Sequence, residues 1–375
     1  MSNYHLPFDV ITNTILPRLA VKSLIRFTST CKTWKSIIQS PQFVAAHLNL
    51  NRSEPKRLCL ALNLDVCHIV DSNTLTELTR FSFSPSAFLF YHCVDELVMI
   101  WIDRCPYPEC LIWNPSIRRS KTIDLSPHRK IRDSKFDPYS ECRHILYGLG
   151  YDELTHDHIL VMVVYAMFDS DNGRLAADSA IEVNVYSLRT GTWRSVSSSP
   201  ERQLIGFSGK DSVFLNGAIH WFASTVVTQS FFSPRYDYLE AILVFDIKDE
   251  CFREVGLSES LREFPEEYLL QFKELEGSLA ALLHEIDGDG SCLWVMTEYG
   301  VVESWTRKFR FCSEVFGRYH CRFISSGMLM CEEIESEEVY NVFRNMETGQ
   351  LKCIEGCKDF YTVADFVESL VLFDI

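Results

Sequence analysis

The best candidates for catalytic residues are three aspartates in the strand-rich part of the sequence, Asp246, Asp287 and Asp289. Carboxylates act as general acids and bases, or hold a metal ion, when folding brings them to one reacting group. The sequence contains no Gly-x-Ser-x-Gly nucleophile elbow, no P-loop and no His-Glu-x-x-His zinc motif. It therefore predicts a protein that is not an enzyme, with a hydrolase built on these aspartates as the enzymatic alternative.

His220, the Gly148-Leu149-Gly150 run and the cysteines have plainer interpretations than site chemistry. His220 precedes Trp221 in a strand-like segment, which favours a hydrogen-bonded core histidine over a general base. The glycine run lacks the third glycine and the following helix of a dinucleotide-binding turn. The 14 cysteines form no Cys-x-x-Cys pair and have no histidine at ligand spacing, which predicts reduced, mostly buried thiols. No cofactor and no metal site are expected.

The 375-residue chain is 47% hydrophobic, enough for a sizeable core, and its formal charge of −15 is unevenly distributed. Residues 1–52 hold six Lys and Arg against one Asp, so this part carries about +5 and the rest about −20. The acidic charge of the chain beyond residue 52 argues against nucleic-acid binding. It is explained most simply as an aid to solubility, and otherwise by a basic partner.

The first residues lack the basic and apolar stretches of a secretory signal, and the longest apolar run, residues 159–168, is about half a membrane span. We expect a protein of the cytoplasm, the nucleus or both, bound to no membrane and no nucleic acid.

Residues 6–48 have the apolar period of helices. Apolar residues first recur every three to four positions, at Phe8, Ile11, Ile15 and Leu19. Pro17 lacks an N–H and should end or kink this short first helix. The same period returns between Leu24 and Ile38, which predicts a second helix or a broken pair, with Ser23 as the N-cap and Pro41 closing the segment. So short a segment leaves apolar faces uncovered, and we expect a partner to cover them.

The order of motifs in this segment resembles a plant-type F-box. The matching motifs are Leu6-Pro7, Ile15-Leu16, Arg18-Leu19, Val21-Lys22-Ser23-Leu24, Cys31-Lys32 with Trp34, and Ser40-Pro41 with Phe43 and His47-Leu48. The resemblance implies a small three-helix domain that docks onto a Skp-type adaptor and, through it, onto a cullin scaffold. The positions it assigns to adaptor binding are Leu6, Pro7, Ile11, Ile15, Leu16, Leu19, Leu24, Cys31, Lys32 and Trp34. Pro17 and Ala20 depart from the family pattern, where a polar residue and a proline are usual, so adaptor affinity is expected to depend on them.

Beyond residue 57 the helical period gives way to short apolar runs separated by turn residues. A strand followed by a polar corner recurs six times, ending near Asp71, Asn114, Ser187, Asp246, Thr297 and Arg344. Gly217, Gly277 and Gly327 precede three further apolar runs, as tight turns between strands require. Units of about 40 to 50 residues predict a mainly antiparallel all-β domain, first of all a six-bladed kelch-like β-propeller. Insertions at 124–143, 169–179 and 225–239 are predicted to be loops that project from one face.

The same part of the chain resembles the F-box-associated domain of plant F-box proteins. The motifs follow the family's order: Trp113-Asn114-Pro115, Tyr147-Gly148, Asn216-Gly217 with His220-Trp221, Phe245-Asp246, Trp294, and Phe366-Val367-Glu368-Ser369-Leu370. Residues 92–99 depart from it, because a glycine turn is usual there, so the second blade is expected to be atypical. The predicted organisation is α+β and multidomain, with an F-box at 4–50, a connector at 51–57 and a propeller-like domain at 58–375.

The resemblance implies the substrate-recognition subunit of an SCF-type E3 ubiquitin ligase. The F-box would hold the adaptor, and the β domain would hold a protein to be ubiquitinated and degraded by the proteasome. One alternative is a non-catalytic propeller scaffold with a weak F-box. A subtype, an S-locus F-box-type receptor of a basic ribonuclease, suits the acidic body. The substrate and the loops that bind it are not identifiable from the sequence.

Overall fold

The computed structural model describes residues 6–53, 58–62, 66–72, 74, 76–82, 90–94, 96–102, 109–125, 143–166, 181–202, 204–206, 212–229, 236–262, 268–285, 290–312, 322–324, 328–335, 338–345, 351–352 and 362–372. The chain divides into two compact units. One is Met1–Leu125 together with Ala364–Ile375, and the other is Ser126–Val363.

The first unit begins with a helical module, residues 6–53. Its segments are helix α1 (Phe8–Val10), a π-helical turn (Ile11–Ile15), a 3-10 turn (Leu16–Arg18), α2 (Val21–Thr28), α3 (Lys32–Ile38) and α4 (Pro41–Ser53). Pro17 lies inside the 3-10 turn, and Leu19 after it is extended, at φ −87° and ψ 143°. The prediction that Pro17 ends the first helix is confirmed, since the chain leaves helical geometry within two residues of it.

The described module has four α-helices where the sequence predicted a three-helix domain. Of the two predicted forms of the second segment, a single helix or a broken pair, the structure has the broken pair, because Ser29 and Thr30 form a turn and Cys31 then caps α3. The Cys31 thiol accepts a hydrogen bond from the Trp34 N–H at 3.4 Å. This cap starts a new helix in a new direction.

Two predicted helix boundaries are wrong. Pro41 begins α4 instead of closing the segment, because a proline in the first turn removes no intrahelical bond. Ser23 lies inside α2, whose N-cap is Ala20. Helix α4 also continues to Ser53, into the stretch predicted as a connector, while the domain boundaries themselves stay a prediction.

Two four-stranded antiparallel sheets complete the first unit. Their strands are β1 (Leu58–Leu62), β2 (Val66–Asp71), β3 (Glu77–Ser82), β4 (Phe90–Val94), β5 (Leu97–Ile102), β6 (Glu109–Asn114), β7 (Arg119–Ile123) and β25 (Thr362–Phe366), which belongs to this unit from Ala364 onward. One sheet has the order β25-β1-β2-β3 and the other β4-β5-β6-β7. The two sheets share a core that includes Leu60, Ile100, Trp113 and Phe366.

The second unit contains four antiparallel sheets. The first is β8 (Arg143–Asp152), β9 (Asp157–Ala166), β10 (Glu182–Ser187) and β11 (Thr192–Val196). The next is β12 (Leu204–Gly206), β13 (Ser212–Leu215), β14 (Ala218–Gln229), β15 (Tyr236–Asp246) and β16 (Cys251–Gly256), in which β12 and β13 both pair with β14. The third is β17 (Tyr268–Leu275), β18 (Ser278–Glu285), β19 (Gly290–Met296) and β20 (Trp305–Cys312). The fourth is β21 (Arg322–Ile324), β22 (Met328–Glu335), β23 (Glu338–Asn345) and β24 (Leu351–Lys352). A short helix α5 (Glu259–Arg262) follows β16, and a 3-10 turn (Val302–Ser304) precedes β20.

Each of the six predicted repeats contains the third strand of one sheet, namely β2, β6, β10, β15, β19 or β23. Five sheets use consecutive strands only, and the remaining one adds β25 to β1, β2 and β3. The predicted order of helices followed by an antiparallel all-β domain is confirmed, because an apolar strand with a polar corner identified the third strand of every sheet.

Two of the predicted glycine turns are two-residue hairpins. Asn216-Gly217 joins β13 to β14, and Glu276-Gly277 joins β17 to β18. The φ angles are 52° and 74° in the first turn and 50° and 78° in the second. Positive φ at both central positions follows the twist of paired strands, which is why glycine is needed there. Gly327, the third predicted turn residue, lies outside the described residues.

The insertion predicted at 225–239 is wrong over most of its length. Strand β14 continues to Gln229 and β15 begins at Tyr236, and their pairing extends to those two residues with one register shift between Val226 and Thr228. The segment is rich in Thr, Val and Tyr, which favour strands over loops. Apart from both ends of 124–143, the other two predicted insertions lie outside the described residues.

The prediction of an atypical second blade at residues 92–99 is also wrong. Strands β4 and β5 form an ordinary antiparallel hairpin with Val94 opposite Leu97. A two-residue connection containing Glu96 stands where the resemblance led us to expect a glycine turn.

The Gly148-Leu149-Gly150 run has a packing role in β8. A Cβ on Gly148 would lie 2.7 Å from Trp221 Cζ2 and closer still to Ile219, both on β14. A Cβ on Gly150 would lie 2.8 Å from Phe214 Cδ2. Alternate residues of a strand face the same way, so the two glycines let the neighbouring sheet approach β8 closely.

We predict that Gly148→Ala destabilises the second unit by about 1–3 kcal/mol, because Trp221 and Ile219 are buried and cannot move aside without strain. Thermal unfolding of the full chain should show a lower transition temperature. The matched control is Gly277→Asn, at a turn where no atom lies within 4 Å of the added Cβ and where Asn tolerates positive φ. An equal or larger loss in the control would contradict the close-packing role.

Candidate functional site: the exposed face of the helical module

The helical module exposes most of the large apolar side chains that reach solvent in the described chain. Five of the seven belong to it, Leu6 (59% exposed), Phe8 (54%), Val10, Ile15 and Phe27, while Leu78 lies on β3 and Leu154 lies in the turn between β8 and β9. We call these five residues the apolar face. A cluster of this kind on a small module indicates a protein-binding surface more than scattered exposure would.

Local hydrogen bonds hold the first part of the apolar face in place. The Pro7 carbonyl accepts hydrogen bonds from the N–H groups of Val10 and Ile11, at 3.1 and 3.2 Å. The Phe8 ring stacks on Trp34 of α3, with the ring centroids 5.9 Å apart. Phe8 is thereby oriented without being covered, since more than half of it stays exposed.

The opposite side of the module is a closed core. Leu16, Val21, Leu24, Ile38 and Phe43 are buried together, with Leu370 from the far end of the sequence among them. Each of these helices is therefore anchored on one side and open on the other, as expected of an amphipathic helix that presents a binding face.

The ten predicted adaptor-binding residues divide between the two sides. Leu6, Pro7, Ile15, Cys31 and Lys32 are exposed, Ile11, Leu19 and Trp34 are half-buried, and Leu16 and Leu24 are buried. Leu16 and Leu24 belong to the buried core of the module and not to the apolar face. Contact of these ten residues with an adaptor stays a prediction.

Sequence reasoning left Phe8, Val10 and Phe27 out of that set. Phe8 begins the helical period of the first helix, but the resemblance assigned no role to it or to Val10. Phe27 lies roughly 60° around α2 from Leu24. An aromatic residue at the margin of a helix's apolar stripe was the available signal for Phe27.

The helical module also exposes basic side chains. Arg18, Lys22, Arg26, Lys32 and Lys35 are all exposed, and Asp9 is the one acidic residue between 6 and 53. A positive field around an apolar patch accelerates association with an acidic partner surface.

His47 holds α4 against the end of the first helical segment. Its ring is fully buried, and Nε2 donates a hydrogen bond to the Leu19 carbonyl at 3.2 Å. Asn51, one turn later in α4, lies 3.4 Å from the same ring. Burial lowers the pKa of His47, and the Leu19 bond opposes this in part. The neutral imidazole is therefore the form that the folded module favours.

Comparison with known families identifies both parts of the chain. Residues 4–45 match the F-box domain, and residues 54–372 match the F-box associated beta propeller domain. The second match covers far more than half of the chain. The chain belongs to the F-box-associated propeller family.

Similar F-box proteins are known from Arabidopsis thaliana. An F-box/kelch-repeat protein is 24% identical over 329 residues, 82% of this chain and 79% of its own length. The F-box protein CPR1 is 24% identical over 81% of this chain and 72% of its own length. Another F-box protein is 24% identical over 92% of this chain and 82% of its own. Among solved structures, a functionally unknown protein from Desulfotomaculum acetoxidans has a TM-score of 0.38 and 9% identity, with 80% of this chain and 96% of that chain covered.

His220 of the propeller domain has the geometry of a core histidine. It is 1% exposed, and Nδ1 donates to the Val213 carbonyl at 3.1 Å. Nε2 accepts from the Tyr299 hydroxyl at 2.7 Å, and Arg253 donates to that hydroxyl at 2.8 Å. Burial is the largest influence on its pKa, which falls to about 4, so the ring is neutral and both nitrogens are occupied. This arrangement links β14 to the turn after β19.

The aspartates of the enzymatic alternative form no site within the described residues. Asp246 accepts hydrogen bonds from the N–H groups of Lys248 and Asp249, at 3.0 and 2.9 Å, which makes it a turn residue. Asp287 and Asp289 lie outside the described residues. In the described ranges, no three His, Cys, Asp or Glu side chains are grouped so that they could hold a metal ion. Where the structure describes helices, none is both long and apolar enough to cross a membrane.

We predict that the F-box loses stability as the pH falls below the ordinary histidine value of 6.5. A histidine whose pKa is lowered by folding contributes its stability above the unfolded value, and loses it as pH falls through the folded value, at up to about 1.4 kcal/mol per pH unit. Amide exchange of peptides from residues 16–53, measured between pH 7.5 and 5.0 and corrected for the intrinsic pH dependence of exchange, should show this loss. His47→Gln keeps a donor for the Leu19 carbonyl and should flatten the profile. Identical corrected profiles for both proteins would contradict the role of His47.

Proposed function

We propose that this F-box protein is the substrate-recognition subunit of an SCF-type E3 ubiquitin ligase. The F-box binds a Skp-type adaptor and, through it, a cullin scaffold. The propeller domain binds the protein to be ubiquitinated, in the cytoplasm, the nucleus or both. The observation that carries the proposal is the apolar face, which leaves Leu6 and Phe8 more than half exposed on a module otherwise closed around its core.

The apolar face suits a specific interface in size and chemistry. Covering a large apolar side chain contributes about 1.5–3 kcal/mol, so a few fully covered residues account for a tight complex. The exposed basic side chains of the module would steer an adaptor with an acidic surface. These contributions are of different kinds, since the apolar residues set the dissociation rate and the charges set the association rate.

The proposed mechanism needs no catalytic group on this chain. Holding a substrate lysine near a ubiquitin thioester raises its effective concentration, and that alone accelerates transfer. His220 and Asp246 are both engaged in structural hydrogen bonds.

The substrate end of the propeller domain is inferred from strand topology. In an antiparallel sheet, alternate connections lie at opposite ends. In the sheet β4–β7, the short connections β4–β5 and β6–β7 lie at the same end. This end contacts the F-box through the bond between Arg52 and Glu96. Asn114, at the same end, bonds to Ser369. Strands β5 and β7 end, and β6 begins, at the opposite end of the sheet. We assign substrate binding to that opposite end of the sheet. A basic target, as in an S-locus type receptor, remains the subtype that the acidic composition favours.

We predict that Leu6→Asp/Phe8→Asp weakens binding to a purified Skp-type adaptor at least thirtyfold, the effect of losing about 2 kcal/mol of interface energy. Both side chains are largely exposed, so the fold should not change. The matched control, Leu78→Asp/Leu154→Asp, places the same charges at exposed leucines of the propeller domain and should bind like the unaltered chain.

Calorimetry with the full chain separates the alternatives. Equal adaptor affinity for the double variant and the control would overturn the assignment of the apolar face. Micromolar or weaker affinity for the unaltered chain would favour the scaffold alternative, in which the F-box is not used.

A further inference from the structure

The F-box core contains a residue from the far end of the sequence. Leu370 is fully buried against Leu16, Val21, Leu24, Ile38 and Phe43. It belongs to residues 367–372, which follow β25 and which we call the return segment. Removing Leu370 from this core would leave a cavity between α2, α3 and α4.

The return segment also provides the backbone groups of the F-box with hydrogen-bond partners. Ala20, the N-cap of α2, has no side chain that can bond to the first turn of the helix. The Glu368 carboxylate accepts a hydrogen bond from the Val21 N–H at that position. In α4, Asn51 Nδ2 donates to the Glu368 carbonyl at 2.9 Å. One residue of the return segment is thus bonded to two F-box helices.

On its other side the return segment is fixed to the turn between β6 and β7. Asn114 Nδ2 lies 3.2 Å from the Ser369 carbonyl, 2.9 Å from Ser369 Oγ and 2.8 Å from the Val371 carbonyl. The Ser369 N–H donates to Ser116 Oγ at 3.0 Å. Asn114 and Ser369 are both fully buried, so these bonds are shielded from competing water.

A separate ion pair connects the end of α4 to the same sheet. Arg52 Nη2 lies 2.9 and 3.1 Å from the two carboxylate oxygens of Glu96, which is fully buried in the connection between β4 and β5. A buried carboxylate requires such a partner in a defined place. The F-box is therefore held on this sheet at two independent points.

We infer that the return segment is an integral part of the adaptor-binding module, and that it fixes the F-box on the propeller's first sheets as one rigid element. The functional consequence rests on the function proposed above. The orientation of the adaptor relative to the substrate is then set by residues 367–372 together with Asn51, Arg52, Glu96 and Asn114. Residues 4–50 alone lack part of their own core and one helix cap.

The test uses the full chain with three variants and one control. Leu370→Ala removes the core contact, and Glu368→Ala removes the acceptor for the Val21 N–H. Glu368→Gln keeps an acceptor of the same length, and burial raises the pKa of this carboxyl, so the neutral amide is tolerated. Leu78→Ala is the control, an exposed leucine on β3 of the same unit.

Hydrogen–deuterium exchange gives the direct measurement. We expect Leu370→Ala to accelerate exchange at least tenfold in peptides covering 16–28 and 32–48, with peptides from β8–β11 unchanged. Glu368→Ala should accelerate exchange at the start of α2, and Glu368→Gln should restore most of the protection. Unchanged F-box exchange in both alanine variants, or an equal increase in all sheets, would overturn the inference.

Adaptor binding gives the functional measurement. Leu370→Ala should weaken adaptor binding at least tenfold although residues 4–50 are unaltered, while Leu78→Ala should have no effect. If the unaltered chain binds no adaptor, the proposed function fails and the exchange result still decides whether the return segment completes the F-box. Normal adaptor affinity in Leu370→Ala with accelerated F-box exchange would overturn the link to adaptor binding.

Discussion

The F-box of this protein is stabilised by contacts with residues more than 250 positions away in the sequence. Asn114 and Ser369, which anchor the return segment beneath the F-box core, are 255 positions apart. The entropy of closing so long a loop grows only with the logarithm of its length, so the contacts at the junction decide its stability. The return segment that makes these contacts directly follows β25, which pairs with β1. The F-box core and the closure of the first sheet therefore depend on the same part of the chain.

Neighbouring sheets of the second unit combine an apolar layer with a directional hydrogen bond. Trp221 packs in the layer between β8–β11 and β12–β16, and its Nε1 donates to the Tyr147 carbonyl at 2.8 Å. Between β12–β16 and β17–β20 the bond from Tyr299 to His220 has the same role. Apolar burial provides most of the stabilisation but allows one sheet to slide over the next. A buried hydrogen bond between two sheets is satisfied at only one relative position of them. The glycines of β8 permit the close approach that this arrangement needs.

The sequence predicted what depends on local pattern. The strand with a polar corner identified one strand in each sheet, Asn216-Gly217 identified a two-residue turn, and Pro17 identified the end of the first helix. The helix boundaries at Ser23 and Pro41 failed because both residue types are compatible with either side of a boundary. The sequence distinguished the buried from the exposed apolar residues of the F-box only in part. Leu24 and Phe27 both carry the helical period, and only their neighbours in space make the first buried and the second exposed. No local pattern could show that Leu370 and Glu368 complete the F-box, because their partners lie at the other end of the chain.

The pair of Arg52 and Glu96 shows why the junction between the F-box and the first sheets is specific as well as stable. Apolar contacts such as Leu370 tolerate small rotations of the helices, because dispersion and burial have no preferred direction. The ion pair does not, since the Arg52 guanidinium and the fully buried Glu96 carboxylate keep a defined geometry. A pair of this kind adds little net stability over an apolar contact of the same volume, and its effect is to exclude other orientations. The pair therefore favours a single orientation of the F-box on the first sheets.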